Sequence, residues 1–280
     1  MIKNIFSLIF LLSISFGQSF KFSCYKLTNF KTPESAHIYQ NRYIFISNVN
    51  GNPIAKDKNG FISLFDLYTN KLYFQVYTSL NGPKGITSLG DYLFVTDIDS
   101  VKVYSISKKI LIKNIEIKEA KFLNDITVDP YTQIVYVSDT QKDTIYYFSL
   151  KDFQVHTLIK YKGLSPNGLF ISSPYLFIAS WKEGTIYILN LKNLILRPLF
   201  PKYTFSNLDG ITLKNNILYF SDWNIRENIN NGKLYAFDLR NKKLTLIFDH
   251  LKGPADIDYS GKVLTIPEFL NNDVLICFEK

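Results

Sequence analysis

The sequence predicts an all-β protein: a six-bladed β-propeller in which an N-terminal strand completes the last blade. Three observations point there. A unit of four short strands recurs along the chain, the composition favours strands, and the chain opens on an orphan strand while its last unit stops one strand short.

The repeats come first, because a fixed period decides architecture. Five segments align: "GPKGITSLGDYLFVTD", "FLNDITVDPYTQIVYVSD", "SPNGLFISSPYLFIAS", "NLDGITLKNNILYFSD" and "GPADIDYSGKVLTIPE". The more divergent "TPESAHIYQNRYIFISN" (Thr32–Asn48) makes a sixth. Each has a turn, a short strand, a second turn and a second strand ending in polar residues. Third strands such as "GFISLFDL" and "GKLYAFDL" follow, then fourth strands such as "KLYFQVYTS". First-strand openings at Glu34, Lys84, Asn124, Asn167, Asp209 and Ala255 are 50, 40, 43, 42 and 46 residues apart. Four strands in that length is a propeller blade. The Gly-His and Trp-Asp signature of one common propeller repeat is absent. The final unit ends at "DVLICF", and "FKFSCYKL" (Phe20–Leu27) can supply its missing outer strand. Such closure removes the exposed sheet edges of an open ring.

Composition agrees. Of 280 residues, 46% are hydrophobic and 16% aromatic, with 23 Phe and 19 Tyr, which suits strands and a large core. The net charge of +8 comes from scattered lysines, without the basic run that follows a nucleic-acid backbone. Nucleic acid is therefore not an expected partner.

Lys3, the apolar run Ile5–Ile14 and the small residues around Ser15-Phe16-Gly17 read as a secretory signal peptide over residues 1–17, with cleavage before Gln18. The run is short for a membrane span. Residues 18–280 then form one exported propeller domain, periplasmic or secreted. Export puts Cys24 and Cys277 in an oxidising compartment, where they are either two buried thiols or, given their places at opposite chain ends, a disulfide staple.

The innermost strand of each blade lines the propeller axis, so residues at its opening converge. Glu34, Asn124, Asn167 and Asp209 bring four oxygen donors with two formal negative charges to one channel mouth. Mixed carboxylate and amide oxygens suit Ca2+. Zinc would draw on His or Cys, and none of the three histidines stands in this column. Asn or Asp before Gly is also a good turn former, which explains any one position but not four in register.

Glu, Asn, Asn and Asp opening the first, third, fourth and fifth inner strands resemble the calcium-dependent hydrolytic propellers: the gluconolactonase/regucalcin (senescence marker protein), diisopropylfluorophosphatase and paraoxonase families. The matching residues are Glu34 in "TPES", Asn124 in "LNDI", Asn167 in "PNGL" and Asp209 in "LDGI". The resemblance implies that these four hold a catalytic calcium and that the substrate is a lactone, aryl ester or organophosphate. It also implies a disulfide between the chain ends, as in paraoxonases. The chain departs from the pattern at Ser35-Ala36, where gluconolactonases have Gly-Pro and paraoxonases an acidic residue for a second calcium. Asp125 would be half of such a second site. Lys84 and Asp97 stand near the positions of the paraoxonase active-site histidines.

The resulting expectation is a calcium-dependent hydrolase acting on a small-molecule lactone or ester. Asp209 serves as nucleophile or general base, and the Lys84 ammonium meets developing negative charge. Lys84 can alternatively pair with Glu34 and displace the metal. Trp181 and Trp223 are either aromatic walls of the substrate site or loop packing, and the loops Asn48–Gly60 and Asp222–Gly232 are candidate lids. The polar ends of second strands (Asn48, Asp97, Asp139, Asp222, Glu268) read as turn formers. His37 reads as a satisfied strand residue, His156 as an outer-strand residue and His250 as a loop residue, and no Ser-His-Asp set stands out. The alternatives are a non-catalytic propeller whose rim binds a ligand or protein, and a metal-free strictosidine-synthase-like propeller.

Overall fold

A computed structural model describes residues 20–280, so the expected signal peptide lies outside the described residues. Twenty-four strands form six antiparallel four-stranded sheets. The last blade includes the first strand among the described residues, β1 (Phe22–Leu27). Blade 1 contains β2 (Pro33–Tyr39), β3 (Tyr43–Asn48), β4 (Gly60–Asp66) and β5 (Lys71–Leu80). Blade 2 contains β6 (Pro83–Leu89), β7 (Tyr92–Asp97), β8 (Ser100–Ser105) and β9 (Ile110–Glu116). Blade 3 runs through β10 (Leu123–Asp129), β11 (Ile134–Asp139), β12 (Thr144–Ser149) and β13 (His156–Lys160). Blade 4 runs through β14 (Pro166–Ser172), β15 (Tyr175–Ser180), β16 (Thr185–Asn190) and β17 (Ile195–Pro198). Blade 5 is β18 (Leu208–Lys214), β19 (Ile217–Asp222), β20 (Gly232–Asp238) and β21 (Leu244–Leu251). Blade 6 is β22 (Asp258–Ser260), β23 (Val263–Glu268), β24 (Asp273–Glu279) and, outermost, β1.

The first strands touch one another in a closed circuit, β2 to β6, β10, β14, β18, β22 and back to β2. This is the expected six-bladed propeller, and these strands line its axis. The burial pattern follows from the stacking. Second strands such as β11 (IVYVSD) are packed by neighbouring blades on both faces and carry nearly continuous apolar runs. Outer strands such as β9 (ILIKNIE) are mostly exposed. The core is accordingly divided into six apolar clusters, one at each blade interface. Phe94, Val101, Val135 and Phe148, for example, join blades 2 and 3.

The ring closes as the orphan strand predicts. β1 pairs antiparallel with β24 from Phe22↔Glu279 to Leu27↔Val274. Cys24 and Cys277 are direct partners in that register and form a disulfide, with Cα atoms 4.0 Å apart.

Two expectations need correction. His250 lies on the outer strand β21 rather than in a loop. The polar ends of the second strands are buried acceptors rather than simple turn formers. Asp97 accepts the amides of Asn81 and Gly82, Asp139 those of Lys121 and Phe122, and Asp222 those of Ser206 and Asn207. Asn48 and Glu268 do the same for Lys31 and Lys252. Each one fixes the chain just before it enters an inner strand, and so sets where that strand's opening residue sits. Among the described residues no helix is long and apolar enough to cross a membrane.

Candidate functional site

One irregularity recurs at the opening of five inner strands. The register against the second strand slips between Pro33 and Ala36, Pro83 and Ile86, Leu123 and Ile126, Pro166 and Leu169, and Leu208 and Ile211. A bulge inserts unpaired residues and re-aims side chains. The first residues in the slips are Lys84 and the column read from the sequence, Glu34, Asn124, Asn167 and Asp209.

Neighbouring side chains hold the bulges in place. The amides of Ser35, Asp125 and Gly210 donate to hydroxyls of Ser47, Ser138 and Ser221 on their own second strands. Hydroxyls of Thr96, Ser138 and Ser221 in turn donate to carbonyls of Asn124, Asn167 and Ala255 on the next blade. The bulges are thus laced around the axis. Blade contact is too close for a side chain at three second positions: a Cβ on Gly85 would lie 2.6 Å from the Asp125 Cα, one on Gly168 2.1 Å from the Asp209 carbonyl oxygen, and one on Gly210 2.4 Å from the Ile257 nitrogen.

The structure brings the four column residues and Lys84 to the floor of one cavity of about 460 Å³. That is within the size range of small-molecule sites. Phe122, Trp181, Trp223 and Phe269 form its aromatic walls, and Pro53 of the Asn48–Gly60 loop reaches its edge. Trp181 and Trp223 line the cavity and also pack edge to face, with ring centroids 5.5 Å apart.

The floor has an excess of acceptors. Glu34 Oε2, Asn124 Oδ1, Asn167 Oδ1 and Asp209 Oδ1 are each buried without a hydrogen-bond partner. Unpaired buried acceptors are costly, and four gathered at one place call for a shared partner. Electrostatics agree. Burial raises Glu34 well above the usual carboxylate range, the charges of Asp209 and Asp256 add to this, and Lys84 opposes it. Burial pushes Asp209 up to about 7, against the nearby side chains of Trp223 and Asn167. Trp223 Nε1 approaches without reaching hydrogen-bonding geometry.

A second acidic pair lies immediately behind. Burial raises Asp125 even though it accepts amides from Leu169 and Ile126, and burial together with the charge of Asp125 raises Asp256, which Ser35 Oγ steadies at 2.6 Å. Sequence reasoning passed over Asp256, because the sixth unit opens on Ala255 and the acid comes one residue later. The second residue of each bulge was the available signal.

Four buried carboxylates thus surround the axis, with Lys84 as the cation whose charge acts on Glu34. A hard divalent cation fits this surplus of negative charge and unpaired oxygen. Among the described residues no three His, Cys, Asp or Glu side chains form a metal-binding group by themselves. The column has two carboxylates, and its remaining donors are carboxamides.

Lys84 is 2% exposed. Its ammonium donates to the carbonyls of Pro53 and Gly82, 3.0 Å each, and sits 4.4 Å from the centre of the Phe122 ring. Burial lowers its pKa to about 8, against the charges of Glu34 and Asp97. No ion pair within 4 Å joins it to Glu34; the nearest fixed partners are carbonyls.

No protein-family model matches the chain, and no curated protein matches it. Solved structures do. A Bacteroides thetaiotaomicron protein of unknown function aligns with TM-score 0.74 at 12% identity, covering 94% of this chain and 77% of that one. Virginiamycin B lyase from Staphylococcus aureus aligns with TM-score 0.67 at 14% identity, covering 93% of this chain and all of that one. A chain of a nidogen/laminin complex aligns with TM-score 0.64 at 16% identity, over 75% of this chain and 82% of that one. At these identities the likeness establishes the propeller fold.

Proposed function

We propose that Glu34, Asn124, Asn167 and Asp209 hold one calcium ion and that the cavity above them hydrolyses a lactone or related carboxylic ester. The observation that carries this reading is the unpaired buried oxygen that each of the four presents to the same cavity. A cation bound there would supply Lewis-acid polarisation of the substrate carbonyl.

The chain's own residues do the rest. Asp209 acts as general base: one carboxylate oxygen takes a proton from the attacking water, and the proton later passes to the leaving alkoxide. The Lys84 ammonium, fixed by two carbonyls, faces the oxygen that gains charge in the tetrahedral state and needs no reorganisation to do so. Trp181, Trp223 and Phe269 exclude water and hold the apolar part of the substrate. The N-terminal stretch that reads as a signal peptide and the Cys24–Cys277 disulfide are consistent with action outside the cytoplasm.

The test is a panel of aliphatic lactones and aryl esters assayed with the purified protein, with calcium and with chelator. Calcium-dependent turnover lost in Asp209→Asn is expected. A wild type that binds calcium yet turns over nothing would move the assignment to a ligand-binding propeller.

A further inference from the structure

Farther along the inner strands, away from the metal column, three side chains from three blades form a connected chain. His37 lies three residues beyond Glu34 on β2, Ser88 four beyond Lys84 on β6, and Asp258 three beyond Ala255 on β22. His37 Nε2 is 2.7 Å from Ser88 Oγ, and His37 Nδ1 is 3.0 Å from Asp258 Oδ2. His37 is the satisfied strand residue the sequence suggests, with both ring nitrogens partnered; the reading of the chain as lacking a Ser-His-Asp set is corrected by this geometry.

The partners settle the tautomer. An ionised carboxylate only accepts, so Asp258 holds the proton on Nδ1 and leaves Nε2 free to accept from the Ser88 hydroxyl. The Asp258 carboxylate is itself held by the Ile38 amide at 2.8 Å. This is the order of roles in a nucleophilic triad: hydroxyl, base, orienting acid. All three residues line a second cavity of about 330 Å³. At about 3.3 Å per residue along a strand, the three residues stand some 10–13 Å from the column.

The backbone adds a donor. Leu89 and Tyr92 flank a two-residue turn, so the antiparallel alternation directs the Ser88 amide away from β7 and into the channel. Ile86, Ile126, Leu169 and Ile211 make the cavity walls apolar, while Asp125, Asp256 and Asp258 make it acidic. Those walls admit an aliphatic chain and repel an anion.

We propose that Ser88, His37 and Asp258 form a second catalytic centre that acts by acyl transfer on neutral esters with short aliphatic acyl groups. Ser88 Oγ attacks the ester carbonyl carbon as its proton passes to His37 Nε2. The carbon–oxygen bond to the alcohol breaks, and the alcohol leaves with that proton. Water then attacks the acyl-Ser88 carbonyl, giving one proton to His37, which returns it to Ser88 Oγ as the acid departs. Ester and water become acid and alcohol. Ser88 and His37 are the catalytic residues; Asp258 is a positioning residue.

The test uses p-nitrophenyl butyrate with the full-length protein in excess chelator, which separates this centre from any calcium-dependent turnover. A burst of one nitrophenol per chain is expected, with a butyryl group on the Ser88 peptide after acid quench. Ser88→Ala should abolish both. His37→Gln should slow acylation by about a hundredfold or more. Asp258→Asn keeps an acceptor for Ile38 and should lower the acylation rate by a similar factor with the apparent KM unchanged. Absence of a Ser88 adduct in the chelated wild type, or acylation equally fast in His37→Gln, would overturn the proposal and leave the three residues as a tie between blades 6, 1 and 2.

Discussion

Replacing Cys24 and Cys277 together by serine removes the covalent clasp on the ring. The two residues are 253 apart in sequence, and for a closed loop of that length the chain-entropy relation gives about 5 kcal/mol of stabilisation. The loss falls mainly on the unfolded state. All six residue pairs of β1 with β24 keep their ladder partners in the variant, so the folded ring stays closed. For a domain of this size about 5 kcal/mol corresponds to roughly 10–20 °C in melting temperature. Urea denaturation followed by tryptophan fluorescence should show the midpoint falling, with a somewhat steeper slope because the uncrosslinked chain expands further. A loss below about 1 kcal/mol, or two free thiols in folded wild-type protein, would refute the entropic clasp.

Three further outcomes are expected. Metal-free protein should be more stable at pH 5 than at pH 8: Glu34, Asp125, Asp256 and Asp209 have folded pKa values raised by burial, so the folded state binds more protons than the unfolded chain, and stability falls as pH rises from about 4 through the folded values, about 7 for Asp209. Calorimetry at the two pH values checks the sign, and calcium should restore the loss at pH 8. Lys84→Met should lower turnover by roughly 10²- to 10³-fold while calcium affinity holds or improves; unchanged turnover with faster proteolysis near Pro53 would assign Lys84 to loop fastening alone. Gly168→Ala puts a methyl group 2.1 Å from the Asp209 carbonyl oxygen, and should cost about 1–3 kcal/mol and weaken calcium binding by displacing Asn167 and Asp209.

The architecture was legible because its signal repeats. Six copies of one strand-turn-strand pattern, with an orphan strand at one end and a short unit at the other, leave little choice of closure, and β1 duly pairs with β24. The column was legible for the same reason, since Glu34, Asn124, Asn167 and Asp209 occupy one place in the repeat. Single substitutions within the pattern were not. Asp256 lies one residue past the strand opening at Ala255, and whether Lys84 meets Glu34 depends on the carbonyls of Pro53 and Gly82, which no spacing reveals. The triad was invisible for a different reason. His37, Ser88 and Asp258 belong to three different repeats and meet only because the ring places blade 6 beside blade 1. The second-strand acids were read as turn formers because a carboxylate that accepts amides from 15 to 18 residues upstream looks local only once the blade is folded.

Calcium titration of the chelated protein by calorimetry tests the central claim most directly. The column should bind one ion per chain and raise the melting temperature with calcium concentration, because the four oxygens converge only in the assembled ring. Asp209→Ala should bind none. A wild type that takes up no calcium at millimolar concentration, and whose melting temperature calcium and chelator leave unchanged, would contradict the account.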